Sequence, residues 1–224
     1  MHKTVVGVVI VFFSLSALAQ DAVSIIETDA EATIDSVPSY AEFTFSKTST
    51  AATLSDAVTE ALQLEPRLRE QMEENELTPK EMKFSSVTIP KADGQQANTS
   101  ARVRFVAQPY SVNDDGVLQF AQLCQTLVKV AAAAGATLEG PAFGVDNPSP
   151  VEQSAVTRAI EMAYPLAEAA ATIMRGQILA VDKVTVLSTE WGKPSDDSSM
   201  QPDVGRIVCK AKVRVSYAFG PTTP

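Results

Sequence analysis

The chain of 224 residues has 18 basic and 27 acidic side chains, which give it a formal net charge of −9. So acidic a chain lacks the positive surface with which proteins bind nucleic acid, and anionic lipid would repel it. Neither a Walker-type phosphate loop nor a Gly-x-Gly-x-x-Gly motif occurs in it, so the sequence does not support nucleotide-dependent chemistry.

The N-terminus has the pattern of a cleaved signal peptide. A short basic start, MHK, is followed by an apolar run over residues 4–15 and by small residues up to Ala19. The run is shorter than the roughly 20 apolar residues that a membrane-spanning helix needs. We therefore predict a signal peptide over residues 1–19, cleaved after Ala19, and a periplasmic or secreted protein of residues 20–224 without a transmembrane segment.

Cleavage at that point would remove the only histidine of the chain, His2. Without imidazole, the mature protein lacks Ser-His-Asp and Cys-His catalysis, histidine-ligated metals and the commonest general base. Carboxylates, lysines, tyrosines and two cysteines are the remaining reactive groups. We predict no catalytic residue, no cofactor-binding residue and no metal site.

The first half of the chain alternates strand and helix patterns. Four segments have the pattern of strands: 23–34, 40–47, 83–89 and 101–108. Apolar residues at helical spacing predict a helix from Thr53 to Asn75, which Pro66 must kink or divide. A second helix is predicted over residues 113–134 and ends before Gly135.

The second half begins with a glycine- and proline-rich segment, residues 135–150, that reads as a connector. It contains a short strand in which Gly140 and Gly144 permit bends or close packing. Ser149 and Glu152 are placed as a capping box for the next helix.

That helix is predicted to continue to about residue 175. Its buried face is predicted as Val151, Ala155, Ala159, Met162, Leu166, Ala170 and Ile173. Strands over residues 178–188 and 205–219 complete the fold.

The two cysteines both lie at apolar positions. Cys124 shares a helical face with Phe120 and Leu127, and Cys209 alternates with apolar residues on a strand. If that helix packs on that strand, the two faces meet. A Cys124–Cys209 disulfide and two buried free thiols both fit the pattern in an oxidising compartment.

Trp191 is the only tryptophan, and it stands where the strand pattern gives way to a polar loop. An aromatic ring at such a place can contact a protein partner. It can also pack over the edge of its own sheet, which requires no partner.

The two halves share short sequence matches. They are AVTEALQL at 57–64 with AVTRAIEM at 155–162, SVTI at 86–89 with KVTV at 183–186, and ARVRF at 101–105 with AKVRV at 211–215. We predict an α+β fold of two β-α-β-β units joined by the middle helix, in which an antiparallel-rich sheet packs with long helices. Residues 37–109 and 138–219 would form an internal repeat.

This order of elements, together with the segment GATLEGPAFGVDNPSPVEQSAVTRAIEMAYPLAEAAATI, resembles the SIMPL domain family, also called DUF541. The helix has the alanine spacing of that family: Ala155, Ala159, Ala163, Ala167 and Ala170. The resemblance covers roughly residues 23–219. It implies an exported α+β protein of the periplasm or envelope, in a family without a catalytic motif. Some members form ring-like or channel-like oligomers, and some are linked to oxidative stress.

Two functions remain open at this point. The first is a noncatalytic envelope protein that forms a homo-oligomer or binds another envelope protein, in an envelope or oxidative stress response. The second is a small-molecule binder or carboxylate-based enzyme with a cleft between sheet and helices, which would contain buried acids of raised pKa. The composition favours the first.

Overall fold

The computed structural model describes residues 24–90, 95–107, 114–192 and 206–221, so the predicted signal peptide lies outside the described residues. The strands are β1 (Ser24–Ser36), β2 (Tyr40–Thr50), β3 (Glu81–Phe84), β4 (Gln96–Val106), β5 (Thr137–Gly144), β6 (Gly176–Gly192) and β7 (Ile207–Pro221). The helices are α1 (Leu54–Leu62), α2 (Leu64–Glu74), α3 (Asp114–Ala134) and α4 (Ser149–Ile173).

The described chain divides into two compact units. The four-stranded unit lies within residues 37–146 and has an antiparallel sheet of order β3-β4-β2-β5. The three-stranded unit contains β1, α4, β6 and β7, and its antiparallel sheet has the order β1-β7-β6. The α+β class and the antiparallel pairing are therefore confirmed.

The core of the four-stranded unit is aromatic and aliphatic. Alternate residues of β2 and β4 point to the side of the helices, where Phe43 and Phe105 meet edge to face at 6.2 Å between ring centroids. Phe120 of α3 packs in the same core. By length and composition alone, Asp115–Ala134 would suffice to cross a membrane, but a face of this helix is buried in the core.

The helix predicted over 53–75 is divided, as Pro66 requires. The division falls at Gln63, and Pro66 is the third residue of α2. A proline there costs little, because the N–H groups of the first helical turn have no partner within the helix.

A buried cation ties α1 to the same sheet. Lys47 of β2 is only 5% exposed, and its Nζ donates to Glu60 Oε1 at 2.7 Å. This hydrogen bond and the positive charge of Lys47 lower the pKa of Glu60. Arg67 of α2 donates to the same carboxylate at 3.0 Å, so Glu60 links three elements of the unit.

The three-stranded unit is built on a stripe of small residues. Ala155, Ala159, Ala163, Ala167 and Ala171 are the buried residues of α4, each four positions after the last. They pack against larger residues of β1 and β7, among them Ile26, Val215 and Tyr217.

The buried face predicted for α4 was therefore partly wrong. Met162, Leu166 and Ile173 are exposed, Ile173 to 83%. Valines and a tyrosine of the sheet fill the space beneath the helix, so only alanine fits between the helix axis and the sheet.

The opposite face of the three-stranded sheet is charged. Arg214 of β7 donates to both carboxylate oxygens of Asp29 of β1, at 2.7 and 2.9 Å, which lowers the pKa of Asp29. Lys210 pairs with Glu31 at 2.7 Å. These pairs fit a face in contact with solvent.

The predicted capping box at the start of α4 was also wrong. The cap residue is Pro148, and no side chain caps the helix. At the other end of α4, Arg175 has the left-handed conformation, with φ of 56°.

The chain order of two β-α-β-β segments joined by α3 is as predicted, but the strands are shared between sheets differently. Strand β5 pairs with β2, and β1 takes the place beside β7. The strands of residues 138–219 are therefore divided between two sheets, β5 in one and β6 and β7 in the other. The internal repeat remains a prediction.

Gly140 allows a close approach between β5 and β2. Gly140 and Pro141, joined by a cis peptide bond, stand opposite the single residue Phe43. The φ of Gly140 is +121°, and an added Cβ would lie 2.9 Å from the carbonyl oxygen of Glu42. The predicted close packing is confirmed at this position.

Gly140→Ala should therefore lower the free energy of unfolding. Backbone strain of this kind costs about 1–3 kcal/mol, and the contact with Glu42 adds to it. Gly192→Ala is the matched control, since an added Cβ there meets no atom within 4 Å. Urea unfolding of both variants measures the difference; equal stability of the two would contradict this account of β5.

Candidate functional site

Strand β6 is the candidate interaction surface. It is a 17-residue strand at one edge of the three-stranded sheet, and no described strand pairs with its outer side. Five of its large apolar residues are exposed to between 41% and 57%: Leu179, Val181, Val184, Val186 and Leu187. An exposed, apolar edge of this length is a template for pairing with another strand.

Three of these residues lie on the side of the sheet that α4 covers. Val181, Val184 and Val186 are opposite Tyr217, Val215 and Val213 of β7, which are buried beneath α4. We call the three valines the β6 valine row. The alanine stripe of α4 lies over β1 and β7, so the row remains in contact with solvent.

An open groove runs beside this row. Val186 lines it together with Val156, Glu152 and Gln153 of α4. The groove is shallow. A small molecule is usually bound in an enclosed pocket, so this groove is better suited to a flat apolar surface.

Strand β6 is also irregular. Its register with β7 shifts between Ile178 and Ala180, between Val181 and Lys183, and between Val186 and Ser188. Each shift leaves one residue of β6 without a direct neighbour in β7; the middle one is Asp182. Bulges of this kind bend an edge strand and limit how far another strand can pair with it.

Two adjacent opposite charges occupy the middle of the apolar strand. Asp182 and Lys183 are both exposed. Neither forms an ion pair with another described residue. Their position among valines makes them the polar feature that any partner of this edge must accommodate.

Trp191 lies at the end of β6 and is half-buried. Its Nε1 donates to Glu152 Oε1 at 2.9 Å, and its ring packs beside Ala155 and Cys209. The contacts are those of packing within the unit, and a partner contact of Trp191 remains a prediction. Glu152, predicted as a capping residue, holds the indole instead.

The two cysteines are free thiols and belong to different units. Cys124 packs against the aromatic core of the four-stranded unit, and Cys209 packs beneath α4. Cys124 therefore packs in the core of one unit and Cys209 in the core of the other. A disulfide between them remains a prediction. Burial raises the pKa of both thiols, which lowers their reactivity.

The described residues show few features of a catalytic site. No described Asp or Glu is buried, and no three described His, Cys, Asp or Glu residues are placed to hold a metal ion. The displaced carboxyl pKa values, those of Asp29, Glu60 and Glu81, are all lowered. A general acid requires the opposite shift. The absence of a catalytic residue remains a prediction.

Sequence reasoning did not identify the exposure of β6. Its alternating valines have the same pattern as those of a buried strand, and β7 has that pattern too. The one local signal was the pair Asp182 and Lys183 in the middle of the apolar run.

Glu152→Ala should loosen the indole of Trp191. We expect a loss of about 1 kcal/mol in the free energy of unfolding, the net value of one hydrogen bond, and a red shift of tryptophan emission. The control is Gln153→Ala at the exposed position next to Glu152, which should change neither the free energy of unfolding nor the tryptophan emission. Because Trp191 is the only tryptophan, fluorescence reports this contact alone. An unshifted spectrum for Glu152→Ala would contradict the contact.

A family model described as SIMPL, protein of unknown function (DUF541), matches residues 26–217. No curated protein matches the chain.

Proposed function

We propose that this chain, which belongs to the SIMPL (DUF541) family, is a noncatalytic exported protein of the periplasm or cell envelope. It acts by self-assembly or by binding another envelope protein, in an envelope or oxidative stress response. The observation that carries the proposal is the β6 edge, where a long apolar strand of the three-stranded sheet stays exposed.

The sequence of the N-terminus supports export. A basic start, a short apolar run and small residues before position 20 are the parts of a signal peptide. An exported protein without histidine has few routes to hydrolytic or metal chemistry, whereas assembly requires only complementary surfaces.

Surface chemistry supports protein binding over ligand binding. The apolar residues of β6 lie on an open edge and not in a pocket, and the groove beside them is shallow. The alternative, a small-molecule binder or carboxylate-based enzyme, would need a buried acid, and the described part of the chain has none.

Export can be tested by expressing the full chain and fractionating the cells. We expect a processed protein that begins at Gln20 in the exported fraction, and accumulation of the precursor when Ala19→Arg blocks the cleavage site. Thr157→Arg, an exposed position on α4, is a control for the added charge. An unprocessed protein retained in the cytoplasm would contradict export.

Assembly can be tested by light scattering on purified residues 20–224 at several concentrations. Because the β6 edge is apolar, we expect a mass of two or more chains that persists on dilution to micromolar concentration. A mass of one chain at every concentration would leave binding of another protein as the proposed function. Turnover of a substrate by a purified monomer would contradict the proposal as a whole.

A further inference from the structure

We propose that the three-stranded unit pairs with a second copy of itself through β6, antiparallel and centred between Asp182 and Lys183. The inference rests on the proposed function, because it names the partner and the register of the assembly. A two-fold axis at that centre makes the segment Ala180–Thr185 of one copy pair with the same segment of the other, so that Ala180 lies opposite Thr185.

Charge complementarity fixes the centre. In this register Asp182 of each copy lies opposite Lys183 of the other, so two ion pairs form about the axis. Both side chains are exposed, and neither has an ion-pair partner among the described residues. Opposite charges directly across an antiparallel pair are favourable, and a shift by one residue would place like charges opposite each other.

The neighbouring residues agree with the same register. Val181 lies opposite Val184 of the other copy, and both belong to the β6 valine row on the side of α4. Ala180 lies opposite Thr185, and both point to the other side of the sheet, because their neighbours in β7 are Ala218 and Arg214. Side chains of paired strands must share a face, and these do.

The bulges explain why the pairing would be short and would stop at two copies. Register shifts at Ile178/Ala180 and at Val186/Ser188 lie on either side of the self-complementary segment. They bend the strand away from a straight edge, which limits open-ended addition of further strands. The shift at Asp182 frees this residue from a neighbour in β7, so its carboxylate can serve the other copy.

A second copy fits this edge better than a strand from an unrelated protein. Any extended apolar peptide could use the free backbone groups of β6. An antiparallel partner strand matches these charges when it places a lysine opposite Asp182 and an aspartate opposite Lys183. Read along its own chain, such a strand has the order Val-Asp-Lys-Val, which is the order in β6 itself. The product would be one six-stranded sheet in which the two valine rows lie side by side on the face that α4 covers.

The test is a charge exchange measured by sedimentation equilibrium on residues 20–224. Lys183→Asp places two like-charged pairs at the axis, and we expect the dimer dissociation constant to rise at least about tenfold, or 1.4 kcal/mol. The double variant Asp182→Lys/Lys183→Asp restores both pairs and should return the constant to within about threefold of the wild type. Lys129→Asp, exposed on α3, is the control for net charge and should change nothing.

A second measurement fixes the register without relying on charge. Ala180→Cys and Thr185→Cys should form an intermolecular disulfide when the two variants are mixed under oxidation, and neither should do so alone. The native thiols at Cys124 and Cys209 are packed in their cores. The wild type, which has only these two thiols, gives the background level of intermolecular disulfide. Tryptophan emission from Trp191 confirms that each variant is folded.

The outcomes separate the inference from the proposed function. An oligomeric wild type whose mass is unaffected by Lys183→Asp, with no disulfide in the mixture, would overturn this register and leave assembly standing. A wild type that is one chain at all concentrations would overturn self-pairing and assembly together. A Lys183→Asp defect that the double variant does not restore would also overturn the inference.

Discussion

The three-stranded unit depends on how closely α4 can approach its sheet. Five alanines at intervals of four residues form the contact surface of the helix, and the sheet supplies the bulk beneath them. Pairing small residues on one element with large residues on the other fills a core without voids. Because that stripe is narrow, the helix covers β1 and β7 and leaves the valine row of β6 in contact with water. The candidate surface is thus a consequence of the packing.

The sheet edges of the two units differ in how they avoid pairing. Strand β3 has only four residues, β5 is broken by the bulge at Gly140, and the exposed face of β1 carries Glu27, Asp29 and Glu31. Short edges, bulges and charges are the usual protections. Strand β6 has bulges too, but it is long and apolar, and the adjacent charges of Asp182 and Lys183 are self-complementary in an antiparallel pair. This edge is therefore the least protected of the four against pairing.

The sequence predicted the class of fold and most elements, because these depend on local patterns. Helical spacing, Pro66 and Gly135 gave the limits of α1, α2 and α3 to within a few residues. The distribution of strands between sheets could not be predicted, since the pairing of β1 with β7 joins the two ends of the chain.

The candidate site was harder to predict for related reasons. Met162, Leu166 and Ile173 have helical spacing as good as that of the alanines, so periodicity alone did not select the buried face. Glu152 lies three residues after Ser149, as a capping box requires, but Pro148 takes the cap position and the carboxylate binds Trp191. Which valines are exposed depends on the width of α4's contact with the sheet, which no local pattern encodes.

The most direct test of this account is amide hydrogen exchange along β6 in residues 20–224 at high and low protein concentration. Edge amides that face solvent exchange quickly, and a second strand would protect them. The account predicts slow exchange of the outward-facing amides of residues 180–185 at high concentration, lost on dilution below the dissociation constant, with the amides of β7 unchanged. Equally fast exchange of these amides at every concentration would contradict the claim that β6 is the surface on which this protein assembles.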